Sequence, residues 1–301
     1  KHTLETKLTE REWALGMLLN CIELDTKLVL TTNGDTHVRA KIVAKYLQQV
    51  GRSEVPVGLG LPYTLKRDRY YQEPWVHDYD LTTYPNVYQN GIERMVELIM
   101  ASEEEVVVIC IGPMRNVYEA LKLNPNIVSK SRIVCMLGSV RVGYQANPKP
   151  FPEYNVVCEI ESCREALKAY AGKCTLTPLD TCGNLVLQGE LYQRVLAAEA
   201  SKPIVGAILE NFRIWFEVRK KCPSEVDFVT KRSSILFDTL TVYSAFTSKH
   251  LKMEELYLKI EEDGLMVETT EQDGYKALVA VSWEDNGEQA FYEFLVDRLL
   301  L

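Results

Sequence analysis

Apolar residues recur along this chain with two periods, and each change of period marks an expected element. Residues 13–19 carry apolar positions at helical spacing, and residues 27–32 then read as a strand. A helical pattern over 38–50 leads into a short strand at 55–60. Over 91–100, Ile92, Met95, Val96 and Ile99 share one helix face. Next come a strand at 106–111, a helix at 116–123, strands at 133–136 and 156–160, a helix at 162–170 and a strand at 175–179. Helices are expected at 191–200, 204–220 and 233–246. Residues 61–90 are rich in Tyr, Pro and Asp without clear periodicity, and a loop that long in a compact domain is usually functional.

The pattern changes in the last quarter. Short strands at 256–260, 266–270 and 276–281 are separated by Asp263-Gly264 and Asp273-Gly274, which marks antiparallel hairpins. A helix at 288–300 closes the chain. Strand-helix alternation through the first two hundred residues predicts an α/β fold, a mainly parallel sheet flanked by helices with small antiparallel C-terminal strands. With no internal repeat and no linker composition, residues 1–301 are expected to form a single domain.

Composition narrows the function classes. The chain is 47% hydrophobic and 25% charged with a net charge of -8, and no Lys/Arg block could track a phosphate backbone. Nucleic acid is therefore excluded as a partner. The longest apolar runs are far short of a membrane span, so no membrane association is expected. Of eight cysteines, Cys110 and Cys135 lie in strand-like apolar runs where reduced buried thiols are usual. Cys158 with Cys163, or Cys174 with Cys182, could pair in principle, and no C-x-x-C supports zinc. The compartment stays open, with the lack of an N-x-S/T sequon leaning slightly towards the cytoplasm.

Candidate chemistry gathers at the expected strand ends, where open α/β sheets bind ligands. Pro152-Glu153-Tyr154-Asn155 follows the strand-like run 132–136 and its small-residue turn. In an extended segment Glu153 and Asn155 point to one face and either suit recognition of a polyol such as ribose or belong to a solvated loop. Gly112-Pro-Met-Arg-Asn116 joins an apolar strand to a helix N-terminus, a weak anion-binding signal. Asp35 ends another strand, either facing the same crevice or capping the helix that follows. Asp238 stands in an apolar helix start, where a carboxylate requires a partner. Asn147 lies in a Pro-rich loop six residues before Glu153.

Four of these segments together resemble the inosine-uridine-preferring nucleoside hydrolases. Gly112-Pro-Met-Arg-Asn116 is similar to that family's GPLTN, Met136-Leu-Gly138 to its MGG, Glu153-Tyr-Asn155 to its EFN, and Phe237-Asp238-Thr-Leu to its HDPL. Glu54-Val-Pro-Val-Gly58, Pro74-Trp-Val-His-Asp-Tyr-Asp-Leu81 and Tyr84-Pro85 add local support. The resemblance implies a Rossmann-like fold, a calcium ion at the strand ends and hydrolysis of a nucleoside's N-glycosidic bond. It assigns Asn147, Glu153, Asn155 and, in place of the usual Asn, Asp35 to ribose binding, and Asp238 to the metal. Arg115 stands where a Thr offers its carbonyl, and Phe237 where part of the family has a histidine.

The acidic half of the pattern is not kept. The family's DTDxGxDD falls on Leu4-Glu-Thr-Lys-Leu-Thr-Glu-Arg11, which puts Thr6 and Arg11 at two aspartate ligand positions and Glu10 at the general-base position. A guanidinium opposes a divalent cation at the same place. The first strand of the family has no counterpart ahead of this segment in the present sequence. The resemblance leads to a nucleoside hydrolase-like protein, inactive or weakened, that needs no cofactor, retains a ribose-type pocket and has a binding or structural role. The alternative is an active, Ca²⁺-dependent purine or pyrimidine nucleoside N-ribohydrolase. Ribose or a ribonucleoside is the expected ligand, and a homo-oligomer or an assembly partner is expected by analogy with the family.

Overall fold

A computed structural model describes residues 9–62, 71–220 and 228–301. The chain divides into two compact units, each discontinuous in sequence. One is built from Ile92–Leu185 and Phe237–Ala290, the other from the described parts of Lys7–Gly91 and Val186–Leu236 with Phe291–Leu301. Strands are numbered β1 to β11 in chain order among the described residues.

The first unit holds a six-stranded sheet in the order β10-β9-β11-β6-β5-β4. Its parallel part comprises β4 (Val106–Cys110), β5 (Ser131–Cys135), β6 (Cys174–Leu176) and β11 (Tyr275–Trp283). The apolar runs of β4 and β5 pair in register from Val106 with Ser131 to Cys110 with Cys135. Such runs suit strands covered on both faces. Ile133, Cys135, Leu176, Ala277 and Val279 form one core with Val117, Cys163, Ala166 and Leu167. The last three project from the helix Ile160–Ala169, whose apolar positions recur at helical spacing. Because β4, β5 and β6 are parallel, their C-terminal ends open on one edge of the sheet, where Gly112, Met136 and Thr177 begin the connecting turns.

β9 (Leu251–Ile260) pairs with both β10 (Met266–Glu268) and β11. The Asp263-Gly264 turn closes an antiparallel hairpin as its sequence signals, whereas Asp273-Gly274 does not, because β10 and β11 lie on opposite sides of β9 and do not pair with each other. In the first turn Gly264 has φ +88, and Leu265 N donates to Asp263 Oδ1 at 2.9 Å. The C-terminal strands are not a separate appendage, since β11 pairs in parallel with β6 and extends the main sheet.

Two expected elements take another form. Residues 156–160, expected as a strand, lie in the helix Tyr154–Cys158 and the start of Ile160–Ala169. Residues 233–246, expected as one helix, split into β8 (Arg232–Ile235) and the helix Thr239–Ser244. Short apolar runs fit either period, and the local hydrogen bonds decide between them.

The second unit carries a small parallel sheet, β1 (Val29–Leu30), β2 (Val57–Gly58) and β3 (Val87–Tyr88), and an antiparallel pair, β7 (Val186–Gln188) with β8. Its helices Thr9–Leu19 and Pro203–Arg219 pack closely. A Cβ on Gly16 would lie 2.8 Å from Ile204 Cγ2 and 2.9 Å from Ile208 Cδ1. The seven cysteines among the described residues are free and buried, and Cys222 lies outside those residues.

Candidate functional site

At the carboxyl edge of the parallel strands in the first unit, three segments meet. Backbone bonds continue past the strand ends, with Met136 N donating to Cys110 O and Thr177 N to Cys135 O, both at 2.9 Å. The Thr177 and Thr241 hydroxyls share a 2.7 Å hydrogen bond, which ties the helix Thr239–Ser244 to the end of β6. Asp238 is that helix's N-cap residue and is buried.

Glu153 and Asn155 enter the same edge from Tyr154–Cys158, where they sit at the N-cap and in the first turn of a helix. They do not alternate along an extended strand, contrary to the sequence expectation. Glu153 Oε1 accepts from Asn155 N at 2.9 Å. Its Oε2 accepts from Gly138 N at 3.2 Å and from Val156 N at 3.4 Å. An N-cap carboxylate satisfies helix amides that otherwise lack partners, and this is why the segment coils. Asn155 Nδ2 donates to Met136 O at 3.0 Å and lies 3.3 Å from Met136 Sδ. Its Oδ1 is buried with no hydrogen-bond partner among the described residues. A buried acceptor left unmet costs free energy, so it marks a place where a donor belongs.

Burial raises the Glu153 carboxyl to about 7. Desolvation outweighs the three amide donors, and the nearby Asp238 charge adds to it. At neutral pH this group therefore exchanges between acceptor-only carboxylate and a carboxylic acid that can also donate. Next to it, the Tyr144 ring meets Phe151 and Phe237 edge-on, with centroids 5.8 and 6.0 Å apart. Gln145 and Ala146 adopt φ of 56 and 57 in the turn that precedes Asn147. Asn147 itself is exposed and accepts from Lys149 N at 3.0 Å, the local bond of a turn residue. Arg115 begins the helix Arg115–Leu123 and pairs with Glu159 at 3.6 Å.

Asp35, Glu10, Arg11 and the candidates at 75–79 belong to the second unit. Asp35 caps the helix Thr36–Gln49, its Oδ1 accepting from His37 N at 2.9 Å and Val38 N at 3.0 Å. That is the capping alternative of the two open in the sequence. Thr6 lies outside the described residues, and so does the Glu10 side chain, although Glu10 falls within the helix Thr9–Leu19. Arg11 follows it, partly buried. Among the described residues no three His, Cys, Asp or Glu side chains gather as a metal site requires. Trp75 and Tyr79 pack locally, with Lys45 Nζ 4.8 Å over the Trp75 ring and Tyr79 OH donating to Gln48 Oε1 at 3.1 Å, while His77 is exposed.

Two carboxyl groups escaped the sequence reading. Glu12 is buried in the second unit, where Gln72 Nε2 donates to its Oε1 at 2.7 Å. Desolvation pushes it up to about 8, against weaker opposing effects from Arg11 and Arg39. Its signal is that Glu12 shares a helix face with Gly16 and Leu19. Asp180, in the first unit, accepts three backbone N–H bonds from residues 140–142. A carboxylate just after Pro178 at a strand end was the only trace of it in the sequence.

Known proteins resemble this chain in sequence and in fold. Residues 12–293 match the family described as inosine-uridine preferring nucleoside hydrolase, and positions 4–11 lie ahead of that match. The pyrimidine-specific ribonucleoside hydrolase RihA of Escherichia coli O1:K1 / APEC is 24% identical over 301 residues, covering 95% of this chain and 93% of its own. A plant nucleoside hydrolase, the PpNRh1 enzyme, superposes with a TM-score of 0.75 at 16% identity, over 97% of this chain and 96% of its own. The purine-preferring ribonucleoside hydrolase from Gardnerella vaginalis does so at 0.74 and 14%, over 97% and 96%. The structural likenesses establish the fold, a mainly parallel sheet flanked by helices.

Proposed function

Because the chain belongs to the inosine-uridine preferring nucleoside hydrolase family, we propose that it binds a ribose-containing ligand at the strand ends of its first unit and has lost most or all of the family's hydrolytic activity. The observation that carries the binding half is the buried, unmet Oδ1 of Asn155, two residues from a carboxyl poised between its two protonation states. A sugar hydroxyl would donate to that oxygen and could exchange a second bond with Glu153 in either form. Asp238, buried at the same edge, adds a further acceptor. The edge-on trio of Tyr144, Phe151 and Phe237 supplies apolar surface beside them.

The loss of hydrolysis is argued from the residues at the acidic positions. Calcium takes six to eight hard oxygen ligands. Thr6 and Arg11 replace two of the family's carboxylates, and an always-charged guanidinium disfavours a divalent cation. The donor set therefore does not fit the ion. Phe237, at the place of a histidine in part of the family, has no proton to give a leaving base.

Calorimetry with ribose, uridine and inosine tests the binding half. Wild type should bind at least one of them, and Asn155→Ala should weaken that binding about tenfold, the scale of one hydrogen bond to a buried partner. No binding of any of the three, or equal binding by the variant, would remove the reading. Ribose release with added Ca²⁺ tests the other half. Wild type and Asp238→Ala should both give background rates, and release that depends on Asp238 would show an active hydrolase.

A further inference from the structure

We infer that Asp180 is a positioning residue for the ribose-type site, holding the loop that carries the amide on Glu153. The inference rests on the ribose-binding reading above and names a group outside the sugar-contacting set. Its carboxylate accepts from three consecutive backbone N–H groups: Val140 to Oδ2 at 2.9 Å, Arg141 to Oδ1 at 2.7 Å and Val142 to Oδ1 at 3.1 Å. Successive amides converging in this way form an anion-binding nest, and here the chain fills the nest with its own carboxylate. Hydrogen bonds donated to ionised acceptors are about twice as strong as neutral ones, so one side chain fixes three residues.

Those residues sit between the two ends of the site. On one side, Gly138 N donates to Glu153 Oε2 while Gly138 O accepts from Leu179 N at 3.0 Å, next to Asp180 in sequence. Gly138 has φ +81, and a Cβ there would come within 2.7 Å of Met266 Cε, so this backbone position tolerates little change. On the other side, Ser139 Oγ donates to Val142 O at 2.8 Å and accepts from Phe151 N at 2.9 Å, two residues before Glu153. Gln145 N also donates to Gly183 O at 3.2 Å, the residue after the short helix Leu179–Cys182 that contains Asp180. The loop is thus clamped at three points to that helix and its flanks.

The Arg141 side chain does not share the task. Its guanidinium lies on Glu254 and Glu268, at 2.7 and 2.6 Å, and the hydrogen bonds to the Asp180 carboxylate come from backbone N–H groups among the described residues. Asp180→Asn keeps the volume but replaces one acceptor oxygen by an NH₂ group that faces amide donors. The expected result is release of the 140–142 segment and, through Gly138 and Ser139, of the Glu153 cap.

The experiment compares wild type, Asp180→Asn and Tyr170→Phe. Tyr170 bonds Ser131 at 2.8 Å in the same unit, and its hydroxyl takes no part in the loop. Amide hydrogen exchange in Asp180→Asn should accelerate at 140–142 and also at Gly138 and residues 153–156, while Tyr170→Phe leaves these unchanged. Acceleration confined to 140–142, or none, overturns the inference whether or not the protein binds ribose. In calorimetry, Asp180→Asn should weaken ribose about tenfold while Tyr170→Phe keeps wild-type affinity at a similar loss of melting temperature. Equal weakening by both variants would mean that Asp180 acts only through stability and would also overturn it. Wild type that binds none of the sugars would sink the ribose reading itself, which separates the two failures.

Discussion

Glu12 and Glu153 show how burial alone changes what a carboxyl group does. Each is raised well above an ordinary glutamate, to about 8 and about 7, chiefly by desolvation. A group whose folded pKa lies above its unfolded one binds its proton more tightly in the native state. The stability it contributes is complete below about pH 4.5 and is lost as pH rises through the folded value. The protein should therefore be less resistant to urea at pH 8.5 than at pH 5.5, by an amount on the order of a few kcal/mol. Glu12→Gln should remove much of that difference. An identical fall in wild type and variant would show that Glu12 is not the source. At this scale the sequence was half legible. Glu153 and Asn155 stood out because an acid and an amide flank one residue at a strand end. Glu12 and Asp180 did not, because their partners, Gln72 and the amides of 140–142, are distant in the chain.

Among the elements, long periodic segments were read correctly and short apolar runs were not. The helices Gly91–Ala101 and Ile160–Ala169 and the strands β4 and β5 follow their periods. The Tyr154–Cys158 segment has strand-like Val156-Val157 but coils because the Glu153 carboxylate meets its free amides, a bond that periodicity does not report. Residues 233–246 failed in the opposite sense: β8 is claimed by pairing with β7, and the helix begins only at Asp238. Close packing gives a further prediction. Gly16 lets the helix Thr9–Leu19 approach Pro203–Arg219, and its Cβ would meet Tyr46 OH at 2.7 Å as well as Ile204 and Ile208. Gly16→Ala should lose about 1–3 kcal/mol in urea unfolding, the cost of overpacking exceeding the gain in helix propensity. A variant as stable as wild type would mean that the interface yields.

On the scale of the whole molecule, the fold class was legible because strand-helix alternation dictates a covered parallel sheet. The division into two units, each entered twice or more by the chain, was not, since neither linker composition nor a charge run marks the crossings. The function is legible only in part, for the same reason that the family match begins at residue 12. The residues kept from there onward place Glu153, Asn155 and Asp238 at one sheet edge, whereas Thr6, Glu10 and Arg11 precede it. The proposed function amounts to a sugar site that has outlived its hydrolytic chemistry. Crystals grown with uridine and Ca²⁺ test this most directly. It predicts an intact nucleoside whose ribose hydroxyl donates to Asn155 Oδ1. A calcium ion coordinated by Asp238, with ribose and free base in place of the nucleoside, would contradict it.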